Sequence, residues 1–442
     1  MSDIYIAHRR RSSKQSETGP GKAAKVFLPM LRKGCLVFAP AVFLIAQAEA
    51  QDAVRPSVAG SEVAAERLNT ISQTPYNLRM GGLDFRFGAD LRTEYNDNIS
   101  IAEYNRLSDV IVEPHFDIEG ILRVTSLNVL RFNLGLGYDE YLIHSQYSSK
   151  EPIIAPGSEV SFDLFLAGNL RITFHDRFDI EQSPLDEPAL SNIVEFRRIE
   201  NTAGFTGVWD ANRLIVTAGY DHFNYMSLSS DFRDLDRQAD SVLTSATWSF
   251  NDTTRAGIDA NATYTDYVTS FHNDSTTITV GPFFKIGLSP YMKIALAAGY
   301  QGMQFDHDGS IHDESNLNDW YGNLVFVHRF NRFLTQTFTA GHESQLGLNS
   351  NYETIDYARY GAALKFLNAF TTEVDLMWEN LAESGGLLPE RLQRYSLDVK
   401  LTYQLTKRVQ MTLGYSFLDK QSDIPGFAYE QDRIHLDLAY QF

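Results

Sequence analysis

The chain is short of what several kinds of protein need. It has one cysteine, Cys35, in 442 residues, so neither a disulfide framework nor a cysteine-based metal site can form. After residue 50 no apolar run approaches the length of a membrane helix, which excludes a bundle of spanning helices. Basic residues are scarce relative to acids: 38 Lys and Arg against 56 Asp and Glu, a net charge of −18. Phosphate backbones are held by basic surface, so nucleic acid is excluded as a partner. Tryptophan is rare, at 4 residues, yet there are 22 Tyr and 29 Phe. A chain that is polar on average and still rich in aromatics suits a membrane barrel, where only one face of each strand meets lipid.

The N-terminal region reads as a leader. Arg32 and Lys33 precede an apolar stretch from Leu36 to Ala46, and Ala48-Glu49-Ala50 supplies a small-x-small cleavage pattern before Gln51. Residues 1–50 are therefore expected to be a secretory signal, with Met30 as the start of a leader of ordinary length. Cys35 lies before the apolar core, whereas a lipoprotein cysteine would follow it. Residues 51–80 show no period of two and are expected to be a periplasmic linker.

From Leu83 the pattern changes. In "LDFRFGADLRTEYN", Leu83, Phe85, Phe87, Ala89, Leu91 and Tyr95 alternate with Asp84, Arg86, Gly88, Asp90, Arg92 and Glu94. A period of two with one greasy and one ionic face is the mark of a strand between lipid and water. The next segment repeats it, with Val110, Val112, Phe116 and Ile118 against Asp109, Glu113, His115, Asp117 and Glu119. Carried to the C-terminus, the alternation predicts an all-β fold over 81–442: a transmembrane antiparallel up-and-down β-barrel of about eighteen strands (16–18), from 83–95 to 431–442. The fifth strand and the twelfth to fourteenth keep the alternation least well, and His328 and His342 fall on the lipid side.

Connection lengths support the same reading. Short links, such as 210–213, 251–253, 289–290 and 405–407, alternate with long ones, such as 140–157, 182–197, 225–237 and 304–317. Membrane barrels place tight turns in the periplasm and longer loops outside. Both barrel termini are thus expected in the periplasm, with the protein in the outer membrane. Outward Tyr95, Tyr138, Tyr220, Tyr264, Tyr300, Trp378 and Tyr415 predict one aromatic girdle. Trp209, Trp248, Phe250, Phe330, Phe366 and Tyr403 predict the other.

The inward positions carry both signs. The candidate lumen charges are Asp84, Arg86, Asp90, Arg92, Glu94, Asp109, Glu113, Asp117, Glu119, Arg131, Glu373 and Asp375. Pairing across neighbouring strands accounts for most of them, and the surplus of acids predicts mild cation selectivity. The loop "QSPLDEPALSNIVEF" (182–196), with Asp186, Glu187 and Glu195, is the candidate constriction if it folds inward. His115, His175 and His435 face inward on separate strands, with no nucleophile–base set at one height, so no catalytic residue is expected. The acidic "DHDGSIHDES" (306–315) misses the spacing of a calcium loop, and neither metal nor cofactor is expected.

At "LDFRFGADLRTEYNDNI", the Tyr-Asn-Asp-Asn-Ile run from Tyr95 to Ile99 closes a first strand soon after a leader. Here the chain resembles the outer-membrane beta-barrel porins of Gram-negative bacteria, several of which are associated with exopolysaccharide loci. The resemblance implies a channel with no catalytic residues. It points to a conduit for envelope or exopolysaccharide secretion, with polysaccharide-export components as partners. A general small-solute porin is the alternative, and a barrel enzyme a third reading. The closing "RIHLDLAYQF" ends on outward Tyr440 and Phe442. In such barrels a terminal aromatic resembles the recognition signal of the assembly machinery, so that machinery, periplasmic chaperones and outer-membrane lipid are the expected partners.

Overall fold

The computed structural model describes residues 76–366 and 369–442. The expected signal segment, and the linker up to residue 75, lie outside them. The described residues form a closed antiparallel barrel of eighteen strands. The first six are β1 (Leu83–Asn96), β2 (Asp109–Arg123), β3 (Val129–Gly137, resuming at Glu140–Tyr141), β4 (Ile153–Ile154, then Glu159–Leu166), β5 (Leu170–Glu181) and β6 (Arg198–Ala211). Next come β7 (Leu214–Ser227), β8 (Arg237–Asn251), β9 (Thr254–Tyr267), β10 (Ser275–Ser289), β11 (Met292–Phe305) and β12 (Leu317–Arg329). The last six are β13 (Leu334–Leu346), β14 (Tyr352–Phe366), β15 (Phe370–Glu383), β16 (Arg391–Gln404), β17 (Val409–Ser422) and β18 (Tyr429–Gln441).

Each strand pairs with its chain neighbours, and β18 pairs with β1, for instance Asp437 opposite Arg92 and Ile434 opposite Tyr95. Closure removes the open edge that hydrocarbon would not tolerate. The described chain begins beside its own C-terminus. Leu78–Met80 folds back on the start of β1, and Asn77 donates its side-chain amide to the Phe442 carbonyl at 2.7 Å.

The departures from expectation are local. Strand four, expected over 158–170, runs over Glu159–Leu166, and a short piece, Ile153–Ile154, precedes it across a break. Pro156 has no N–H for a ladder, and Gly157 takes a φ of 80°. The turn after Leu166 uses Gly168 and Asn169 at φ 83° and 61°, the paired left-handed conformation of a tight hairpin turn.

Side chains alternate across the wall as the period of two requires. Leu91, Val242, Ile258, Leu296, Leu413 and Leu436 are exposed on the outside. The girdle residues flank this apolar belt. His328 and His342 do point outward, and both sit among girdle aromatics. His342 stacks on Trp320 at 4.3 Å and hydrogen-bonds Asp356 at 2.7 Å, while His328 lies 5.8 Å from Phe330, edge to face. Amphipathic rings fit that depth, so the imperfect parity of these strands marks the edge of the belt. Inside, Tyr321 lies over paired Gly281 and Gly299. A Cβ on either glycine would meet its ring or hydroxyl at 2.6–2.7 Å, so the aromatic ring fills what glycine leaves.

The barrel has a turn end, with the tight connections and both ends of the described barrel, and a loop end with the long ones. Its buried apolar core lies in the lumen at the loop end. Ile101, Leu190, Phe196, Phe223, Tyr225, Leu235, Leu418 and Tyr429 pack together there.

Candidate functional site

The loop 182–197 between β5 and β6 turns into the bore. Its neck is closed by the Phe196 amide on the Gln182 carbonyl at 2.8 Å. Phe196 and Ile101, from loop 97–108, are both 0% exposed, which no loop standing in solvent could achieve. Burying each such side chain is worth about 1.5–3 kcal/mol, so the inward position is stabilised by the apolar letters of the loop itself.

Polar contacts then fasten the loop to the opposite wall. Arg394 of β16 donates to the Leu185 carbonyl at 3.0 Å. Lys420 of β17 donates to Ser191 Oγ at 2.9 Å and reaches the Ala189 and Leu190 carbonyls at 3.4 Å. Ser191 and Asn192 donate to the Phe427 and Gly426 carbonyls at 2.7 and 2.9 Å. The loop is thus a strap across the lumen with both sides tied.

Buried charge holds the root of the strap. Arg198, 2% exposed, contacts Glu181 at 2.5 Å, Glu200 at 2.9 Å and Asp186 at 3.1 Å. It also donates to the Ser183 carbonyl at 3.0 Å. On the far wall Glu379 is shared by Arg359 and Arg394, at 3.0 and 2.6 Å, and Lys420 pairs with Glu390 at 3.0 Å. Removing one partner of such a pair leaves a buried charge without compensation.

The expected lumen charges fall into three groups. At the turn end, Asp84 binds Arg79 and Arg123, with Arg123 at 2.7 Å. Arg86 binds Glu119, and Arg131 binds Asp163. Asp117 stands opposite Gly88 and Gly135, while Glu373 faces Lys400 and Asp375 faces Gly361 in the register. At the loop end, Asp109 is fully buried and accepts from the Val110, Ile143 and His144 amides at 2.7–2.9 Å. It holds a loop and lines no open water. Between these levels lie Asp90, against His115 at 3.4 Å, and Arg92, Glu94 and Glu113. Arg92 contacts Glu94 at 2.6 Å, Glu113 at 3.7 Å and Asp437 at 3.8 Å.

Of the expected loop residues, Asp186 joins the Arg198 cluster and Glu195 lies 3.7 Å from Lys150. Glu187 is buried, which pushes its carboxyl up to about 8 against the pull of Arg198 and Arg237. At the C-terminus Tyr440 and Phe442 are exposed outward, edge to face at 4.9 Å. In the acidic loop 306–316, Asp313 accepts from Ser384 Oγ at 2.6 Å and from the Asn351 and Ser315 amides at 2.9 Å. That carboxylate ties loops together. The inward histidines each have a polar partner, including His175 with Asp221 at 2.8 Å and His435 with Arg92 at 3.2 Å.

Sequence reasoning did not single out Arg198, Glu379 or Lys420, and read Arg394 only as one of the inward bases. Arg198, Arg394 and Glu379 sit at inward positions near the loop ends of their strands, and that placement was the available signal. What they bind depends on where the strap lands.

Beneath the strap is a cavity of about 230 Å³ lined by Arg92, Glu94, Glu113, Asp139, Gln431 and Arg433 on its polar side. Ile99, Ile111, Tyr141 and Val194 form its apolar side. The cavity is half open, and charged and polar side chains converge on it.

No protein-family model and no curated protein matches the chain. Solved structures with a similar outline include Pseudomonas aeruginosa OccK2 (OpdF) in complex with glucuronate, at 8% identity and a TM-score of 0.49 over 84% of this chain and 100% of that one. P. aeruginosa OpdK with vanillate shows 10% identity and a TM-score of 0.47, over 81% and 99%. Acinetobacter baumannii OccAB3 shows 12% and 0.46, over 81% and 99%. Values this low transfer no residue and no ligand to this chain.

Proposed function

We propose that the protein is an outer-membrane channel for small solutes, with its loop end outside the cell and its turn end in the periplasm. The strap carries this reading. A segment tied across the bore on both sides, over a cavity of about 230 Å³, narrows the passage to the scale of small molecules. Wall charge within that space then selects among them. The polymer conduit suggested by the resemblance has no such feature in its favour, since an extended sugar chain would need the strap withdrawn.

Proteoliposome swelling with neutral sugars of rising size tests the assignment. The purified barrel should admit monosaccharides and slow sharply for oligosaccharides. Equal rates for mono- and oligosaccharides would favour the conduit. A barrel that passes neither and shows no current in planar bilayers would overturn the channel reading.

A further inference from the structure

The cavity under the strap contains groups that find no partner in the protein. Arg433 has no ion pair or side-chain hydrogen bond among the described residues, and its Nε is buried without an acceptor. Arg92 Nε has no hydrogen-bond acceptor either, its nearest carboxylates being Glu113 at 3.7 Å and Asp437 at 3.8 Å. Gln431 is 2% exposed. Its amide nitrogen donates to the Asn98 carbonyl at 2.8 Å, but its Oε1 accepts nothing. Buried polar atoms are nearly always satisfied, and here two donors and one acceptor left unsatisfied face one space.

The opposite wall has the complementary surplus. Glu113 has no hydrogen bond and only the 3.7 Å contact with Arg92. Asp139 accepts from Gln182 at 2.6 Å. The pairings of His115 with Gly137 and Val112 with Glu140 place Glu113 and Asp139 directly across from each other. Like charges directly opposite on one sheet face destabilise it. A guanidinium without an ion pair on one side, and on the other two carboxylates that share only the 3.7 Å contact of Glu113 with Arg92, are complementary to one molecule carrying both charges.

We propose that this cavity is a binding site for a small zwitterion with an ammonium and a carboxylate joined by a short apolar stem. The carboxylate is received by Arg433, with Arg92 Nε beside it. The ammonium lies between Glu113 and Asp139. The methylenes lie against Ile99, Ile111, Tyr141 and Val194. Binding gives the guanidinium and the carboxylate pair a partner at once, and a simple amine or a simple carboxylate serves only one of them. The assignment rests on the channel reading for its role as a transport site, but the binding chemistry does not.

Three probes of one length separate the halves: 4-aminobutyrate, butylammonium and butyrate. Isothermal titration of the folded barrel in detergent should show 4-aminobutyrate binding at least about tenfold tighter than either, a difference of about 1.4 kcal/mol. Arg433→Gln should lower 4-aminobutyrate to the level of butylammonium, and Glu113→Gln should lower it to that of butyrate. Asp313→Asn, on a different loop cluster, should change neither, and heat-modifiable gel mobility reports folding of each variant. Equal affinity for the three probes, or a preference that survives both cavity variants, overturns the site. Ion current without zwitterion preference leaves the channel and removes the site. Preference in titration without any current does the reverse.

Discussion

The two ends of the barrel are built on different principles. At the turn end the backbone does most of the work. Links are a few residues long, Gly168, Asn169 and Asn212 take the left-handed conformations those turns need, and the C-terminal carbonyl is tied to Asn77. At the loop end, side chains do the work. An apolar cluster fills the lumen, and Arg198, Arg394 and Lys420 fix a strap across it. Turn geometry is local and sets register. Strap geometry joins residues more than 200 positions apart and sets what can pass. Damage at the turn end should therefore abolish the barrel, while damage at the loop end should leave a barrel with altered passage.

The largest effect expected from this contrast is at the turn end. Removing Phe442 takes away the last outward aromatic and moves the terminal carboxylate next to the girdle. Export across the inner membrane should persist, and folded barrel in the outer membrane should fall severalfold, read as heat-modifiable protein in membrane fractions. Normal levels would show that the terminal aromatic is dispensable for assembly.

The fold was legible because its information is local. An alternation such as Leu83 to Tyr95 states which face is wet without reference to any other strand. Eighteen such segments with alternating link lengths leave little freedom in topology. The strap was legible only in outline. Leu185, Leu190, Ile193, Val194 and Phe196 are more apolar than an external loop needs, which marks it as inward-folding. The wall it meets is not encoded in its own letters. The acids on β1 and β2 were readable as inward charge, but whether each is paired depends on register. Glu119 finds Arg86 across the β1–β2 ladder, and Glu113 faces Arg92 across the same ladder but meets Asp139 on its other side.

At the loop end the next largest effect belongs to Arg198. Arg198→Met removes the cation in contact with Glu181, Asp186 and Glu200. Such a loss costs about 3–5 kcal/mol at a buried site, and it falls at the root of the strap. The wall strands remain paired by backbone. The barrel should stay heat-modifiable, with single-channel conductance raised severalfold and the sugar size limit relaxed. Unchanged conductance would mean that the apolar cluster alone holds the strap.

A smaller effect should appear with pH at Glu187. Burial raises its carboxyl to about 8, opposed by Arg198 and Arg237. In a released strap the same group would titrate near 4.3, the ordinary glutamate value. Docking therefore binds a proton, and its favourable contribution is full below about 4.3 and declines as pH rises towards 8. Conductance of the wild type should increase between pH 5 and 8 as the strap loosens. Glu187→Gln, which stays neutral, should flatten that slope. An identical slope in the variant would place the titrating group elsewhere.

The smallest effect separates the strap from its neighbours at the same end. Loops 306–316, 347–351 and 384–390 also fold together, but around Asp313, whose carboxylate accepts from Ser384, Asn351 and Ser315. Burial opposes the charge, but these donors outweigh it and hold the carboxyl below its usual range. Stability from that arrangement is present at neutral pH and is lost as pH falls through the depressed value. Asp313→Asn keeps the shape and replaces one acceptor oxygen with a donor nitrogen, at a cost of about 1–3 kcal/mol. Amide exchange at Asn351 and Ser315 should quicken, and conductance should not change. A conductance change as large as that of Arg198→Met would mean that this loop cluster helps to seat the strap, and that the loop end works as one closure instead of two.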